Sequence, residues 1–237
     1  MEATGSGPWH VFFGLFVNRQ RVISLIDGLN LYHCISNLQR PELQWSNLKA
    51  LSQTFLKSQS EKLFQVFYFS SYADHVSEET QNRQKAYVRA LELSGIVPIF
   101  GHFKRKNRKC PFCENKWVGH EEKETDVNIA LYLLDLAYQN AFDRALVISN
   151  DSDLAPAIKM VRKRFPNKRI TTVSPPHHFH SIELINVSSD KTKIRVEHLE
   201  KSLFPAVISD PSGIISVSRP LEYMPVTRNN FAKNRSY

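Results

Sequence analysis

The chain has 237 residues, room for one or two domains and enough to bury a core without disulfide or metal staples. Hydrophobic residues at 42% and charged residues at 23% exclude collagen, coiled coil and wholesale disorder, and no apolar run is long enough to cross a bilayer as a helix. A formal charge of +8, from 31 basic and 23 acidic residues, favours an anionic partner, either nucleic acid or an anionic membrane surface.

Residues 1–20 read as a poorly specified leader outside the folded domain. Trp9 to Val17 is short and apolar, but it lacks the basic start of a signal peptide. A surface anchor through Trp9, Phe12, Phe13 and Phe16 would want interspersed basic residues, which are missing. The first predicted strand is Val22–Asp27. Ser46 then caps a helix carrying Leu48, Leu51, Phe55 and Leu56. A strand over Gln65–Ser70 follows. Ser77 and Glu78 open a helix that carries Tyr87, Val88 and Leu91 and stops at Gly95. The next strand is Ile96–Phe100. Thr125–Asn140 places Ile129, Leu133, Leu134 and Ala137 on one helical face. Arg144–Ser149 is a strand, Leu154–Phe165 a helix and Arg169–Val173 a strand. From about Asn186 the texture turns polar. Asp210-Pro211-Ser212-Gly213 is a good turn between Pro205–Ser209 and Ile214–Val217, predicting a small hairpin before a basic tail. The expected division is therefore a domain over 21–185 and a C-terminal extension over 186–237.

Nearly continuous apolar strands alternating with helices predict a parallel, doubly wound α/β sheet covered on both faces. In such sheets the site lies beyond the carboxyl ends of the strands, where the strand order reverses. Three acidic segments fall at such places. They are Asp27-Gly28-Leu29-Asn30, Glu122-Lys123-Glu124-Thr125-Asp126 and Ser149-Asn150-Asp151-Ser152-Asp153. Singly, each acid has an ordinary use. Asp27 suits a turn, Asp126 a helix first turn, and Asp151 and Asp153 a helix cap. Gathered together they would repel unless a cation sits among them. Oxygen ligands of this kind suit Mg²⁺ or Mn²⁺. No glycine-rich phosphate loop is present.

Charge is partitioned around these acids. From Glu121 to Asp153 only Lys123 and Arg144 offset eight carboxylates. The flanks are basic. Lys104, Arg105, Lys106, Arg108, Lys109 and Lys116 stand against Glu114 alone, and Arg162, Lys163 and Arg164 lie in an acid-free run from Lys159 to Arg169. Lys104, Arg105, Arg162, Lys163 and Arg164 are thus candidate phosphate-binding residues, with a merely solvated surface as the alternative. The cysteines are Cys34, Cys110 and Cys113, an odd set that fits a reducing cytoplasm better than a disulfide framework. Cys110-Pro111-Phe112-Cys113 has the spacing of a zinc half-site. His102 and His120 are the nearest candidates for the other two ligands of a structural Zn²⁺.

The three acidic motifs, in this order, resemble the NYN (LabA-like) family within the PIN-like nuclease superfamily. The matching runs are Asp27 to Tyr32, Glu122 to Ala130 and Ser149 to Pro156, with Pro175-Pro176 after the last strand; the likeness covers about residues 21–185. The resemblance implies a three-layer α/β/α PIN-like fold with a mainly parallel central sheet. It also implies Mg²⁺- or Mn²⁺-dependent hydrolysis of RNA. Asp27, Asp126 and Asp151 would hold metal, Asp153 would sit beside them, and Asn30 would orient substrate or water. The family usually has Gly where Glu124 stands and often Gly where Asn150 stands; Asn tolerates the left-handed conformation. The expected partner is RNA ahead of DNA, with a regulatory protein and a second copy of the chain as further candidates. The rival readings are a catalytically weak nucleic-acid-binding module and a partner-controlled toxin or defence nuclease.

Overall fold

The computed structural model describes residues 19–225. Most of the expected leader and the expected basic tail lie outside the described residues.

Strand β1 (Gln20–Asp27) runs into helix α1 (Gly28–Ser36) without a loop. After a short 3₁₀ turn come α2 (Leu48–Gln53), β2 (Glu61–Ser71) and α3 (Glu78–Leu93). Then follow β3 (Val97–Lys109), β4 (Lys116–Lys123), α4 (Thr125–Tyr138), β5 (Arg144–Ile148), α5 (Ala155–Arg164) and β6 (Arg169–Ser174). The chain continues through α6 (Ile182–Val187), β7 (Asp190–Lys193), α7 (Val196–Glu200), β8 (Val207–Ser209) and β9 (Ser216–Ser218). The main sheet has the order β4-β3-β2-β1-β5-β6-β7. All its pairings are parallel except β3 with β4. The strand order reverses at β1, between β2 on one side and β5 on the other.

The sheet is buried on both faces, which is why its central strands are almost wholly apolar. Alternate β1 residues feed opposite cores. Val22 and Ile26 pack with Trp45, Leu48, Leu91 and Leu199 on the α1–α3 and α7 face. Ile23 and Leu25 pack with Ile129, Leu133, Ile158 and Leu184 on the α4–α6 face. The result is three layers, helices on either side of a mainly parallel sheet.

The structure differs from the sequence reading in several places, and α2 is capped by Asn47 rather than Ser46. The predicted strand Ile96–Phe100 is the base of a far longer strand, because β3 and β4 pair with each other from His102 opposite Lys123 out to Lys109 opposite Lys116. Asp27 does not end in a turn but caps a helix. Finally, the sheet does not stop near residue 185. β7 pairs with β6 as a seventh strand. The segment beyond it also reaches the core: the Trp45 indole Nε1 donates to the Pro205 carbonyl at 2.8 Å and Phe204 is buried against its ring. The hairpin around Asp210 forms as expected, with Val207 opposite Ser218 and Ser209 opposite Ser216.

Candidate active site at the sheet's switch point

Each predicted acidic segment lies at the carboxyl edge of the sheet, where strands end and helices begin. Asp27 is the last residue of β1 and the N-cap of α1. Its Oδ1 accepts from the Asn30 N–H at 3.0 Å. Its Oδ2 accepts from the Ser149 hydroxyl at 2.8 Å, across the switch point. Ser149 Oγ in turn accepts from the Asp151 N–H at 3.0 Å. One hydroxyl therefore ties the ends of β1 and β5 together. Asp151 caps a 3₁₀ turn by accepting from the Asp153 N–H at 2.9 Å. Capping and the gathering of carboxylates are thus not alternatives here. The same geometry does both.

Two asparagines brace this edge. Asn30 Oδ1 accepts from the Asn150 N–H at 3.3 Å, and Asn150 Oδ1 accepts from the Ser181 N–H at 2.8 Å. Ser149 and Ser181 are functional-site neighbours that sequence reasoning missed. Serine after an apolar strand carries no signal of its own. Gly28 lets α1 approach β2: a Cβ there would stand 2.5 Å from the Tyr68 ring and 2.7 Å from the Phe69 carbonyl.

Asp126 lies in the first turn of α4, brought to the edge by the β4 strand. Glu122 holds that turn. Its Oε1 accepts from the Ser71 hydroxyl at 3.0 Å, from the Thr125 N–H at 3.2 Å and from the Thr125 hydroxyl. Glu124, between them, is left-handed with φ of 81°. This is the conformation glycine supplies freely, and a glutamate holds it at a cost. Asn150, by contrast, is not among the left-handed residues. Of the two departures from the family pattern, the one at Glu124 therefore has a backbone consequence.

The electrostatics show that the carboxylates face one another. Burial pushes the Asp27 carboxyl up to about 6, with its two hydrogen bonds opposing and Asp126 and Asp151 adding to the rise. Burial likewise lifts Asp126 to about 6, reinforced by Asp151, Glu122 and Asp153. The same field, after burial, raises the Cys34 thiol to about 11. As they stand, no three His, Cys, Asp or Glu side chains among the described residues close to metal-holding distance. The donor set nonetheless suits a hard dication: it is all oxygen, crowded with like charge and carries proton affinity that a cation would replace.

The basic flanks part company. Asp27 is level with Phe69 of β2 and Ile99 of β3, so β3 runs on roughly 30 Å past the carboxyl edge at ~3.3 Å per residue. Lys104 and Arg105 lie on this arm, exposed, and share it with exposed Trp117 and Phe112. Arg162, Lys163 and Arg164 do not reach the site. They occupy the last turn of α5, which runs away from the edge for about 15 Å. Arg162 Nη1 donates to the carbonyls of Val187 and Ser188 at 2.7 and 3.0 Å, closing the end of α6. In sequence the Lys159–Arg169 run is as basic as the Lys104–Lys116 flank, but the crossover from β5 to β6 puts it at the opposite end of the sheet.

The expected four-ligand zinc set does not assemble. Cys110 and Cys113 lie in the turn at the arm's tip. Hydrogen bonds from the Cys113 and Phe112 N–H groups lower the Cys110 thiol. His120 pairs with Arg105, about 16 Å back along the strand, and His102 is roughly 26 Å back. Both are engaged there: His120 stacks on His75 at 3.9 Å, and His102 Nδ1 lies 3.3 Å from a Glu124 carboxylate oxygen. An extended hairpin carries flanking residues away from its turn, whereas a folded loop would have brought them back.

The fold is thus a three-layer α/β/α sheet with carboxylates crowded at its switch point. The chain belongs to the NYN domain family, which matches residues 21–195, and so to the PIN-like nuclease superfamily. It resembles the crystal structure of a Vibrio parahaemolyticus protein of unknown function, with a TM-score of 0.51 and 17% identity over 78% of this chain and 97% of that one. That likeness concerns the fold alone. A 55-residue stretch is 40% identical to the 6-hydroxy-3-succinoylpyridine 3-monooxygenase of Pseudomonas putida, covering 23% of this chain and 17% of that protein. No helix among the described residues is long and apolar enough to cross a membrane.

Proposed function

We propose that the protein is a metal-dependent ribonuclease that hydrolyses RNA phosphodiester bonds at the carboxyl edge of its sheet. The observation that carries this reading is the gathering of Asp27, Asp126 and Asp151 at one sheet edge, where burial raises both Asp27 and Asp126 and Asp151 adds to each. A pure binding module gains nothing from crowding carboxylates where anionic nucleic acid must lie. Asp27, Asp126 and Asp151 would hold Mg²⁺ or Mn²⁺, which when bound supplies charge neutralisation and a more acidic water. Asp153 stands beside them at the open rim.

The chain's own residues account for the rest. Ser149 fixes the Asp27 carboxylate relative to Asp151, so two donors from different strands keep one spacing. Asn30 is a positioning residue, holding the β5 end through the Asn150 N–H. The arm from Lys104 to Lys116 offers phosphate-binding cations, and Trp117 and Phe112 offer faces on which unpaired bases stack. Stacking favours single-stranded RNA as the substrate class.

The test is incubation of a labelled RNA and DNA panel with wild type and Asp151→Asn, with and without Mn²⁺. Mn²⁺-dependent RNA cleavage lost in the variant is expected. Equal cleavage by both proteins, or none by wild type with Mn²⁺, sinks the proposal.

A further inference from the structure

A cavity of about 490 Å³ opens at the opposite, amino end of the sheet, on the α2 and α7 face. Arg144, the first residue of β5, lines it; Asp151 lies roughly 20 Å further along the chain's path. The cavity belongs to no part of the carboxylate site. Its size is that of pockets which hold small ligands.

Its floor is buried and under-satisfied. Arg144 is 6% exposed and its guanidinium binds both Glu61 oxygens, at 2.8 and 3.0 Å, and the Phe55 carbonyl. Its Nε has no partner. Thr171, 4% exposed on β6, has an Oγ1 with no partner either. Buried polar groups are almost always paired, so two orphan donors in one floor are unusual. The rim is cationic. Lys57, Lys191 and Arg195 are exposed around it without an ion-pair partner among the described residues, while Arg169 is bound to Asp190 at 2.6 Å. The neighbouring His198 is lowered chiefly by burial and then by Arg195 and Lys201, with Glu197 opposing.

We infer that this cavity binds a phosphate-bearing anion. Two unpaired donors lie just beneath the floor, the unpaired cations at the rim need negative charge, and a phosphate group supplies that charge in one rigid unit. The source is either a free nucleotide or the backbone of RNA running past the amino edge. The inference goes beyond the nuclease reading and does not depend on it.

Calorimetric titration of the full chain in EDTA tests it, with inorganic phosphate, adenosine monophosphate and a single-stranded RNA as separate probes. Binding of phosphate or the mononucleotide is expected, weakened about tenfold or more by Lys191→Glu with Arg195→Glu, since each rim cation is an electrostatic contact. Thr171→Val should weaken binding too. It should leave thermal stability without ligand equal to or above wild type, because it removes an unpartnered hydroxyl. RNA binding alone, lost in the same variants, assigns the site to the nucleic-acid backbone. No binding of any probe to wild type, or affinities unchanged in the variants, overturns the inference.

Discussion

Asp126→Asn should make the protein more stable at neutral pH while abolishing cleavage. The carboxyl is raised from 3.8 to about 6 by burial, Asp151, Glu122 and Asp153. At ~1.4 kcal/mol per pKa unit, that rise corresponds to about 3 kcal/mol of unfavourable ionisation in the fold. Asp126 is half-buried, and water screens the repulsion, so about 1–2 kcal/mol is the expected gain. The sign follows from proton linkage. A raised carboxyl keeps its proton in the native state at pH values where the unfolded chain has lost it. Wild-type stability therefore falls as pH rises from about 4 through about 6. Asparagine does not titrate, so the variant lacks this component of the fall. Urea unfolding at about pH 7.5 should show the gain, and at about pH 3.5 the two proteins should converge. Mn²⁺ should raise the stability of wild type at the higher pH more than that of the variant, because a ligand stabilises the state that binds it. A variant less stable than wild type at neutral pH, or a gain independent of pH, would refute the electrostatic argument. Unchanged cleavage in a folded variant would refute the assignment of Asp126 to the site.

Four further outcomes follow from the geometry. Gly28→Ala should cost about 1–3 kcal/mol in denaturant unfolding, because its Cβ meets the Tyr68 ring and the Phe69 carbonyl at 2.5 and 2.7 Å. Glu124→Gly should raise stability by about 1 kcal/mol, since it relieves a left-handed glutamate; a loss would mean that the His102 contact outweighs the strain. Lys104→Ala with Arg105→Ala should weaken single-stranded RNA binding and flatten its salt slope by about 0.7 per lost phosphate contact. Arg162→Ala with Arg164→Ala should leave that slope unchanged and instead lower stability by about 1 kcal/mol, through the lost bonds to the Val187 and Ser188 carbonyls.

Much of the site was legible because its residues mark strand ends. Apolar runs stopping at Asp27 and at Ser149-Asn150-Asp151 give both the parallel sheet and the edge at which its carboxylates gather. That information is local: strand, cap and helix are adjacent in the chain, and hydrophobic period with capping chemistry specifies them. Sequence alone determined the alternation of elements, the hairpin around Asp210 and the acidic segments. Only the tertiary structure decided which side of the sheet each basic run occupies. Lys104 and Arg162 belong to equally basic runs, but β3 continues past the carboxyl edge while α5 turns back toward the amino edge. It also decided that His102 and His120 stay with the strands rather than join the cysteine pair, and that β7 and Phe204 belong to the main sheet and its core. The physical reason is the same in each case. Composition and spacing record what a residue can do, whereas the direction of an element in the sheet sets which groups it can reach.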